Sequence, residues 1–325
     1  METRQVTGYI QQLIDSISRQ NEETIRICLP PGVYRERVEI RVPNLILEGE
    51  NPDNTIIVTD YHASEILPNG ERRGTFRSYT MYVEADHVTL KNLTVRNDAS
   101  PRREVEQAVA LYENGDDFHA ENCRFESNQD TLFLGSLPKK ELQPKGFTGP
   151  GEFSRRKIMR QYFTDCEISG DVDYIFGSGA AYFENCRMIS VSDPYEIEAF
   201  EKEKKRALGY VCAPSTYEGE PYGFVFRNCS FEACNLPKRS VYLARPWRDY
   251  GKCVFLNCRM DGHIKEEGFH DWNKPKAREE CYFAEYTSSG EGARGKRASF
   301  AKQLKEEELS RYERNIYDSY FQNKH

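Results

Sequence analysis

Apolar residues are spaced at helical intervals near the start of the chain and at strand intervals beyond it. Ile10, Leu13, Ile14 and Ile17 would lie on one face of a helix, which predicts an amphipathic cap helix of about three turns within residues 1–20. From residue 22 onward, short apolar runs alternate with polar positions and are separated by turn residues, a pattern typical of strands. The chain is therefore predicted to be mostly β-structure.

Five short segments of the strand region share one consensus: an aromatic residue, Asn (once Asp), Cys, any residue and an apolar residue. Their cysteines are Cys123, Cys166, Cys186, Cys229 and Cys258. The separations of 43, 20, 43 and 29 residues resemble one or two units of about twenty residues with inserted loops. Repeats of this length built from strands predict a solenoid, so we expect an all-β parallel β-helix over residues 22–290.

The repeat also predicts where its cysteine and asparagine lie. Each Cys is expected to point inward over the Cys of the neighbouring coil, as a small apolar residue. Each Asn is expected at a bend, where its side chain can bond turn backbone groups. The ten cysteines include no Cys-x-x-Cys pair, so core packing in a reducing compartment is favoured over disulfides or zinc ligation.

The remaining segments are interpreted as insertions and caps on a single domain, residues 1–325. Residues 137–160 form a basic loop rich in Gly and Pro, either simply solvated or in contact with an anionic ligand, and the charged run 193–206 predicts a short surface helix. The tail, residues 299–321, has apolar residues at helical spacing and predicts an amphipathic helix. Solenoid ends need covering, so both terminal helices are interpreted as caps.

Composition narrows the class of protein and its partners. The net charge of −7 over 325 residues argues against a nucleic-acid binder, which needs a basic face, and no apolar run approaches the length of a membrane span. The first residues lack the basic-then-apolar layout of a signal peptide. We therefore expect a cytoplasmic protein, or a secreted one if a leader was removed, without metal or cofactor and monomeric.

Acidic residues in the repeat are the first candidates for chemistry. Asp171 and Asp173 are two residues apart in an apolar strand, so they are expected to share one face, with the large apolar residues opposite. Asp130 lies seven residues after Cys123, and Asp173 lies seven after Cys166. Equal offsets in a solenoid place the two residues on adjacent coils, about 4.8 Å apart. Two such carboxylates cannot both ionise easily, so one pKa should rise and supply an acid beside a nucleophile.

Other polar and aromatic residues could complete such a site. Gln107 begins an apolar run; it is either solvated or, beside two acids, a donor to an oxyanion. Arg245 is followed by Pro246, which stiffens the backbone, so its guanidinium could hold a carboxylate in fixed geometry. Trp247 is one of two tryptophans, and stacking on a sugar ring and filling of the core are both open for it.

At these residues the sequence resembles the pectin methylesterases, carbohydrate esterases that remove methyl groups from esterified polygalacturonate. Five motifs occur in the family's order: Gly32–Glu36, Gln107–Leu111, Gln129–Leu132, Gly170–Gly177 and Leu243–Trp247. The end caps and the Trp272–Asn273 segment are similar as well. The resemblance implies a right-handed parallel β-helix, no metal, and methyl-esterified homogalacturonan or oligogalacturonides as substrate.

The same resemblance implies roles for the polar site residues. Asp173 would be the nucleophile that attacks the C6 methyl ester, and Asp130 would be the general acid and later the base, with methanol as a product. Gln107 and Gln129 would stabilise the oxyanion. Arg245 would orient Asp173.

Aromatic residues would form the substrate-binding part of the site. The resemblance implies that Trp247 lines the sugar cleft, and Tyr174 and Phe176 of the Gly170–Gly177 motif are further candidates for substrate contact. Two positions depart from the family pattern: Ala244 stands where Gly is usual, and Tyr174 stands where Phe is frequent. These departures concern the subsites rather than the chemistry.

Two other classes of protein remain open at this point. A β-helix pectinase that cleaves glycosidic bonds could also use two carboxylates about 5 Å apart, whereas a pectate lyase would need a Ca²⁺ site of clustered acids. A non-catalytic carbohydrate-binding solenoid would present stacking aromatic residues. Such a protein would not explain why two acidic residues are aligned on adjacent coils beside Gln and Arg side chains.

Overall fold

The strands of this protein form three sheets whose neighbouring strands come from successive coils. The computed structural model describes residues 1–100, 104–203 and 207–322. Within these ranges the sheets have eleven, eight and seven strands, and strands of adjacent coils pair in parallel with a constant register. This architecture confirms the predicted all-β parallel β-helix.

The strand boundaries follow the repeat closely. The eleven-stranded sheet contains Glu2–Gln5, Ile25–Cys28, Leu45–Glu48, Thr89–Lys91, Phe118–Glu121, Arg160–Thr164, Ala180–Glu184, Phe224–Arg227, Lys252–Leu256, Tyr282–Tyr286 and Lys302–Gln303. The eight-stranded sheet contains Gly32–Tyr34, Thr55–Thr59, Thr94–Asn97, Arg124–Glu126, Glu167–Gly170, Arg187–Ser190, Ser230–Ala233 and Arg259–Met260. The seven-stranded sheet contains Val38–Ile40, Met81–Val83, Leu111–Glu113, Leu132–Leu134, Val172–Gly177, Gly209–Pro214 and Val241–Ala244.

Ladders of equivalent side chains fill the space between the sheets. Phe163, Phe183, Phe226 and Phe255 stack in adjacent coils, with ring centroids 4.8, 4.7 and 5.0 Å apart and ring planes within 15°. The five repeat cysteines are unbridged and at most 1 % exposed, which confirms that they point inward. Burial raises the pKa of the Cys166 and Cys229 thiols well above their usual value, so these two thiols act as apolar packing groups.

The repeat asparagines lie at bends between the eleven-stranded and eight-stranded sheets, as predicted. Asn122, Asn185 and Asn228 have φ values of 49°, 55° and 54°, and Asp165 takes the same conformation. The left-handed region is costly for most residues and least so for Gly, Asn and Asp. The Asn122 amide donates to the Asn92 side chain of the preceding coil at 2.8 Å, so these two side chains bond to one another between coils.

The N-terminal segment differs from the predicted three-turn helix over residues 1–20. Glu2–Gln5 is a strand that pairs with Ile25–Cys28, and the helix is confined to Ile10–Asp15. The helix starts where it does because the Glu36 carboxylate accepts the backbone N–H groups of its first two residues, at 2.9 and 3.1 Å. Its apolar face is buried at the end of the core, as expected for a cap.

The C-terminal tail is not one helix over residues 299–321, and it lies along the side of the solenoid. It consists of a strand at Lys302–Gln303, a 3₁₀-helix at Glu306–Tyr312 and an α-helix at Arg314–Gln322. The Tyr317 hydroxyl donates to the Ala180 carbonyl at 2.5 Å. Aromatic residues on the outer face of the eleven-stranded sheet therefore form a second apolar cluster that the tail covers.

Short helices account for the remaining regular structure. The predicted surface helix in residues 193–206 is present as Pro194–Glu203, whereas residues 204–206 lie outside the described ranges. A third α-helix spans Pro275–Glu280, and 3₁₀-helices span Thr75–Arg77 and Glu291–Ala293. None of the helices in the described ranges is both long and apolar enough to cross a bilayer.

Candidate active site

A bulge in the strand Val172–Gly177 determines how its acidic residue is presented. Val172 pairs with Tyr210 and Ile175 with Cys212, so this strand has one residue more than its partner between the two pairs. Asp173 lies in that interval with φ 52°, a conformation that is uncommon for a residue with a side chain. Strict alternation is therefore lost, and the aspartate carboxylate is turned into an external cleft.

One prediction for this strand is wrong, because Tyr174 keeps the inward position, opposite Asp173, that alternation gives it. Tyr174 was expected to contact substrate, but it is fully buried in the central core, and its hydroxyl lies 3.2 Å from the Ser190 hydroxyl. Burial raises the pKa of Tyr174 far above its usual value. Phe176, predicted opposite the aspartates, lines the cleft together with Asp173. The extra residue reverses the inward and outward positions that follow it, which period-two alternation could not reveal.

Asp130 occupies the equivalent position of the preceding coil, as its spacing predicted. Leu132 pairs with Ile175, so residues 43 apart are aligned, and the Asp130 N–H donates to the Val172 carbonyl at 3.0 Å. Asp130 also has a left-handed backbone, with φ 65°. Both acidic residues therefore occupy equivalent positions on adjacent coils and share a left-handed backbone conformation, and both line the same cleft.

Arg245 forms a two-pronged ion pair with Asp173. Its Nε donates to Oδ1 at 2.8 Å and its Nη2 to Oδ2 at 2.6 Å, and the two side chains are only 15 % and 9 % exposed. Burial alone would lower the pKa of Arg245, but the facing carboxylate more than compensates, and the pKa is raised. Arg245 follows the strand Val241–Ala244 directly, and its N–H donates to the Cys212 carbonyl at 2.9 Å, so the backbone is fixed beneath the ion pair.

The two glutamines come to the cleft from neighbouring coils. Gln107 lies in a loop, four residues before the strand Leu111–Glu113, rather than at the start of a strand. Its carbonyl accepts the Ala63 N–H at 2.8 Å, and the Gln129 carbonyl accepts the Ala108 N–H at 3.1 Å. Backbone hydrogen bonds thus hold both residues at the rim, and both side chains face the same space as the acids.

The cleft is bounded by aromatic rings. Trp247 lines it and packs edge-on against Phe176, with centroids 5.7 Å apart, and against Phe147, at 6.4 Å. Trp247 therefore packs against other rings and also borders the cleft, while stacking on a sugar ring stays a prediction. The cleft holds about 250 Å³. Its lining comprises Thr75, Phe76, Gln107, Gln129, Asp130, Gly146, Asp173, Phe176, Ala213, Arg245, Trp247 and Trp272.

Several of these lining residues were not predicted from the sequence. Phe76 reaches the cleft from a 3₁₀-helix between two strands, and Gly146 comes from the basic insertion 137–160. Trp272 is one of the two tryptophans of the chain. Apart from the similarity of the Trp272–Asn273 segment, this rarity was the only sequence signal that could have placed it in the cleft. The insertion's Lys145 pairs with Glu71 at 3.0 Å, so the structure gives this lysine a protein partner.

Within the described residues, no three His, Cys, Asp or Glu side chains are grouped closely enough to hold a metal ion. The charge beside Asp173 is supplied by the guanidinium of Arg245. The cleft thus combines a carboxylate with a fixed orientation, a second carboxylate at the same level of the next coil, and two amides, an arrangement suited to acyl transfer.

Comparison with known proteins agrees with this geometry. A sequence model of the family described as Pectinesterase matches residues 3–139 and 155–317, leaving out most of the inserted basic loop. A pectinesterase of Petunia integrifolia is 29 % identical over 293 residues, which cover 87 % of this chain and 68 % of that protein. A probable pectinesterase/pectinesterase inhibitor of Arabidopsis thaliana is 28 % identical over 318 residues, and the chain spans about half of its length (47 %).

Solved structures give the same result. The pectin methylesterase of Yersinia enterocolitica has a TM-score of 0.75 and 29 % identity, with 95 % of this chain and 98 % of that chain covered. A pectin methylesterase in complex with a hexasaccharide has a TM-score of 0.74 and 28 % identity, with 95 % and 92 % covered. With a family match over most of its length and a cleft built from the family's motifs, the chain belongs to the pectinesterase family.

Proposed function

We propose that this chain is a carboxylic ester hydrolase that removes methyl groups from C6 of galacturonate units in pectin or methylated oligogalacturonides. The observation that carries the proposal is the bidentate pair of Asp173 and Arg245 in a cleft shared with Asp130. Membership of the pectinesterase family supports the substrate class. So does the hexasaccharide complex of a pectin methylesterase with the same fold.

In the proposed first step, a carboxylate oxygen of Asp173 attacks the ester carbonyl carbon. Arg245 contacts both carboxylate oxygens and fixes the direction of attack. The carbonyl oxygen becomes an oxyanion that accepts hydrogen bonds from the amides of Gln107 and Gln129. Collapse of this intermediate breaks the bond to the methoxy group, which takes a proton from Asp130 and leaves as methanol. An acyl-enzyme anhydride on Asp173 remains.

In the proposed second step, Asp130 acts as a base. It takes a proton from a water molecule, whose hydroxyl adds to the acyl carbon while the same two amides again stabilise the oxyanion. The bond to Asp173 then breaks, restoring its carboxylate and releasing a free galacturonic acid unit. Asp130 ends protonated, ready for the next ester. The rings of Trp247 and Phe176 offer apolar surfaces for the sugar units on the cleft floor.

The test is to incubate the protein with methylated oligogalacturonides and measure methanol, reducing ends and unsaturated products. We expect methanol alone. Reducing ends or unsaturated products without methanol would instead identify a glycosidic-bond hydrolase or a lyase. Asp173→Asn should abolish methanol release, because the amide is a poor nucleophile, whereas circular dichroism should remain that of the wild type.

Asp165→Asn is the matched control for this substitution. Asp165 stands at the repeat position that carries Asn in other coils and has φ 54°, so the same chemical change there should leave methanol release unaltered. Full activity of Asp173→Asn would refute the assignment of the nucleophile. Equal losses in both variants would show that the effect arises from general perturbation of the coils.

A further inference from the structure

The pose of Arg245 is not fixed by its ion pair alone. Its guanidinium carbon lies 3.8 Å from the ring centroid of Tyr210 and 3.7 Å from that of Trp272. The side chain is thus held between two aromatic rings while its Nε and Nη2 face Asp173. Guanidinium groups stack favourably on aromatic faces, and a ring on each side restricts motion out of the plane that contains the two hydrogen bonds.

Each ring is anchored by contacts of its own. Tyr210 stacks on Tyr242 of the next coil, with centroids 5.4 Å apart and planes at 11°, and His270 meets it edge-on at 5.9 Å. The backbone N–H of Trp272 donates to Nδ1 of the same His270 at 2.9 Å. Trp272 has φ 57°, a conformation that persists only where surrounding contacts impose it. The two rings are therefore parts of one packed unit around the arginine.

A second cation, Lys274, also packs against Trp272. The Lys274 ammonium lies 4.4 Å from the Trp272 ring centroid and donates to the carbonyls of Pro246 and Trp247 at 3.0 and 3.1 Å. The segment that follows Arg245 is thereby tied to the segment that carries Trp272. Lys274 therefore restrains the segment after Arg245 and the Trp272 ring together.

We propose that Tyr210 and Trp272 are positioning residues that hold the Arg245 guanidinium in the plane of the Asp173 carboxylate. The inference rests on the proposed function, in which Asp173 attacks the ester. Neither ring takes part in the chemistry; each limits the rotation of Arg245, which in turn limits the rotation of Asp173. Tyr210 is the more diagnostic of the two, because Trp272 borders the cleft and Tyr210 is not among its lining residues.

The expected signature is a fall in kcat without a change in KM. Tyr210→Leu removes one face of the clamp, and we expect kcat to drop about 10-fold to 100-fold, the size of effect that misplacement of a reacting group produces. Tyr210→Phe keeps the ring and should retain kcat within about threefold. Trp272→Leu should lower kcat and also raise KM, since this ring borders the cleft as well, whereas Trp272→Phe should recover most of kcat.

A double-mutant cycle tests whether Tyr210 acts through Arg245. If it does, Tyr210→Leu should cause no further loss of kcat in an Arg245→Ala background. Additive losses would overturn the proposal, as would a Tyr210→Leu variant with wild-type kcat. Tyr282→Leu is the matched control, because that half-buried ring also packs against a cation, the Lys302 ammonium at 4.4 Å, but belongs to the eleven-stranded sheet and does not line the cleft; an equal loss there would also overturn it.

Activity of the Asp173→Asn variant distinguishes failure of this positioning proposal from failure of the proposed esterase function. Loss of methanol release in Asp173→Asn together with wild-type kcat in Tyr210→Leu would reject the clamp and leave the esterase assignment intact. Methanol release by Asp173→Asn at the wild-type rate would reject the nucleophile itself, and with it the reason to position Arg245.

Discussion

Replacement of Phe226 by Ala tests whether the phenylalanine ladder carries the stability of the solenoid. Phe226 is fully buried, is stacked between Phe183 and Phe255 and meets Phe231 edge-on with centroids 5.6 Å apart. Truncation of a buried phenylalanine costs about 3–5 kcal/mol. Two stacked partners and one edge partner each lose an aromatic contact as well, so we expect the upper part of this range.

The expected shift in melting temperature follows from chain length. Unfolding entropy is about 2.1 cal/mol/K per residue, which for 325 residues gives roughly 0.7 kcal/mol/K. A loss of about 3–5 kcal/mol therefore corresponds to a decrease in Tm of about 4–7 °C. Differential scanning calorimetry measures this shift, and circular dichroism checks that the strand content is retained.

The matched control is Phe153→Ala, because Phe153 is 91 % exposed in the inserted loop. Its Tm should change by less than about 1 °C, since little apolar area becomes newly exposed. Methanol release by Phe226→Ala at 25 °C should equal that of the wild type, because the cleft lies on the seven-stranded sheet and Phe226 is on the eleven-stranded one. Equal Tm values for the wild type and Phe226→Ala would refute the ladder as a source of stability.

Two further predictions concern local features of the coils. Burial lowers the pKa of His263 from 6.5 to about 4. Between these two pH values the unfolded chain binds a proton at this residue and the folded chain does not. The free energy of unfolding should therefore fall by up to about 3 kcal/mol as the pH drops from 6.5 to 4. His263→Leu should flatten this dependence in Tm measurements between pH 7 and 4.5, and a slope like that of the wild type would contradict the assignment. Asn228 has φ 54°, so Asn228→Val should cost about 1–2 kcal/mol in urea unfolding, whereas Asn228→Gly should cost less; equal midpoints for both variants would show that backbone strain is not the cause.

The alignment of the two acidic residues could be predicted from the sequence because a solenoid converts spacing along the chain into position in space. Asp130 and Asp173 lie at the same offset from Cys123 and Cys166, and the structure aligns them on adjacent coils. The chemistry of individual residues singled out Gln107, Arg245 and Trp247, and the resemblance to a known family added Gln129. All four line the cleft.

The errors have equally specific causes. Tyr174 was assigned to the substrate cleft through the resemblance, although alternation places it opposite Asp173, in the core where the structure has it. The bulge instead moves Phe176, which alternation placed opposite Asp173, into the cleft, and alternation carries no information about bulges. The N-terminal helix was predicted too long because the apolar spacing from Ile10 to Ile17 says nothing about the pairing of Glu2–Gln5 with another strand. The tail was predicted as a cap because an amphipathic face does not reveal which surface it covers.

Residue type and spacing along one coil are enough to predict the coil repeat, the inward cysteines, the bends at asparagine and the pairing of two acids. How the carboxylate of Asp173 is held depends on contacts that form only in the folded chain. Arg245, Tyr210 and Trp272 are separated from Asp173 by 37 to 99 residues in the chain, and their contacts exist because coils and loops of different length converge on one cleft. Local pattern specifies which surface a side chain faces, whereas its orientation relative to a distant partner depends on packing between coils.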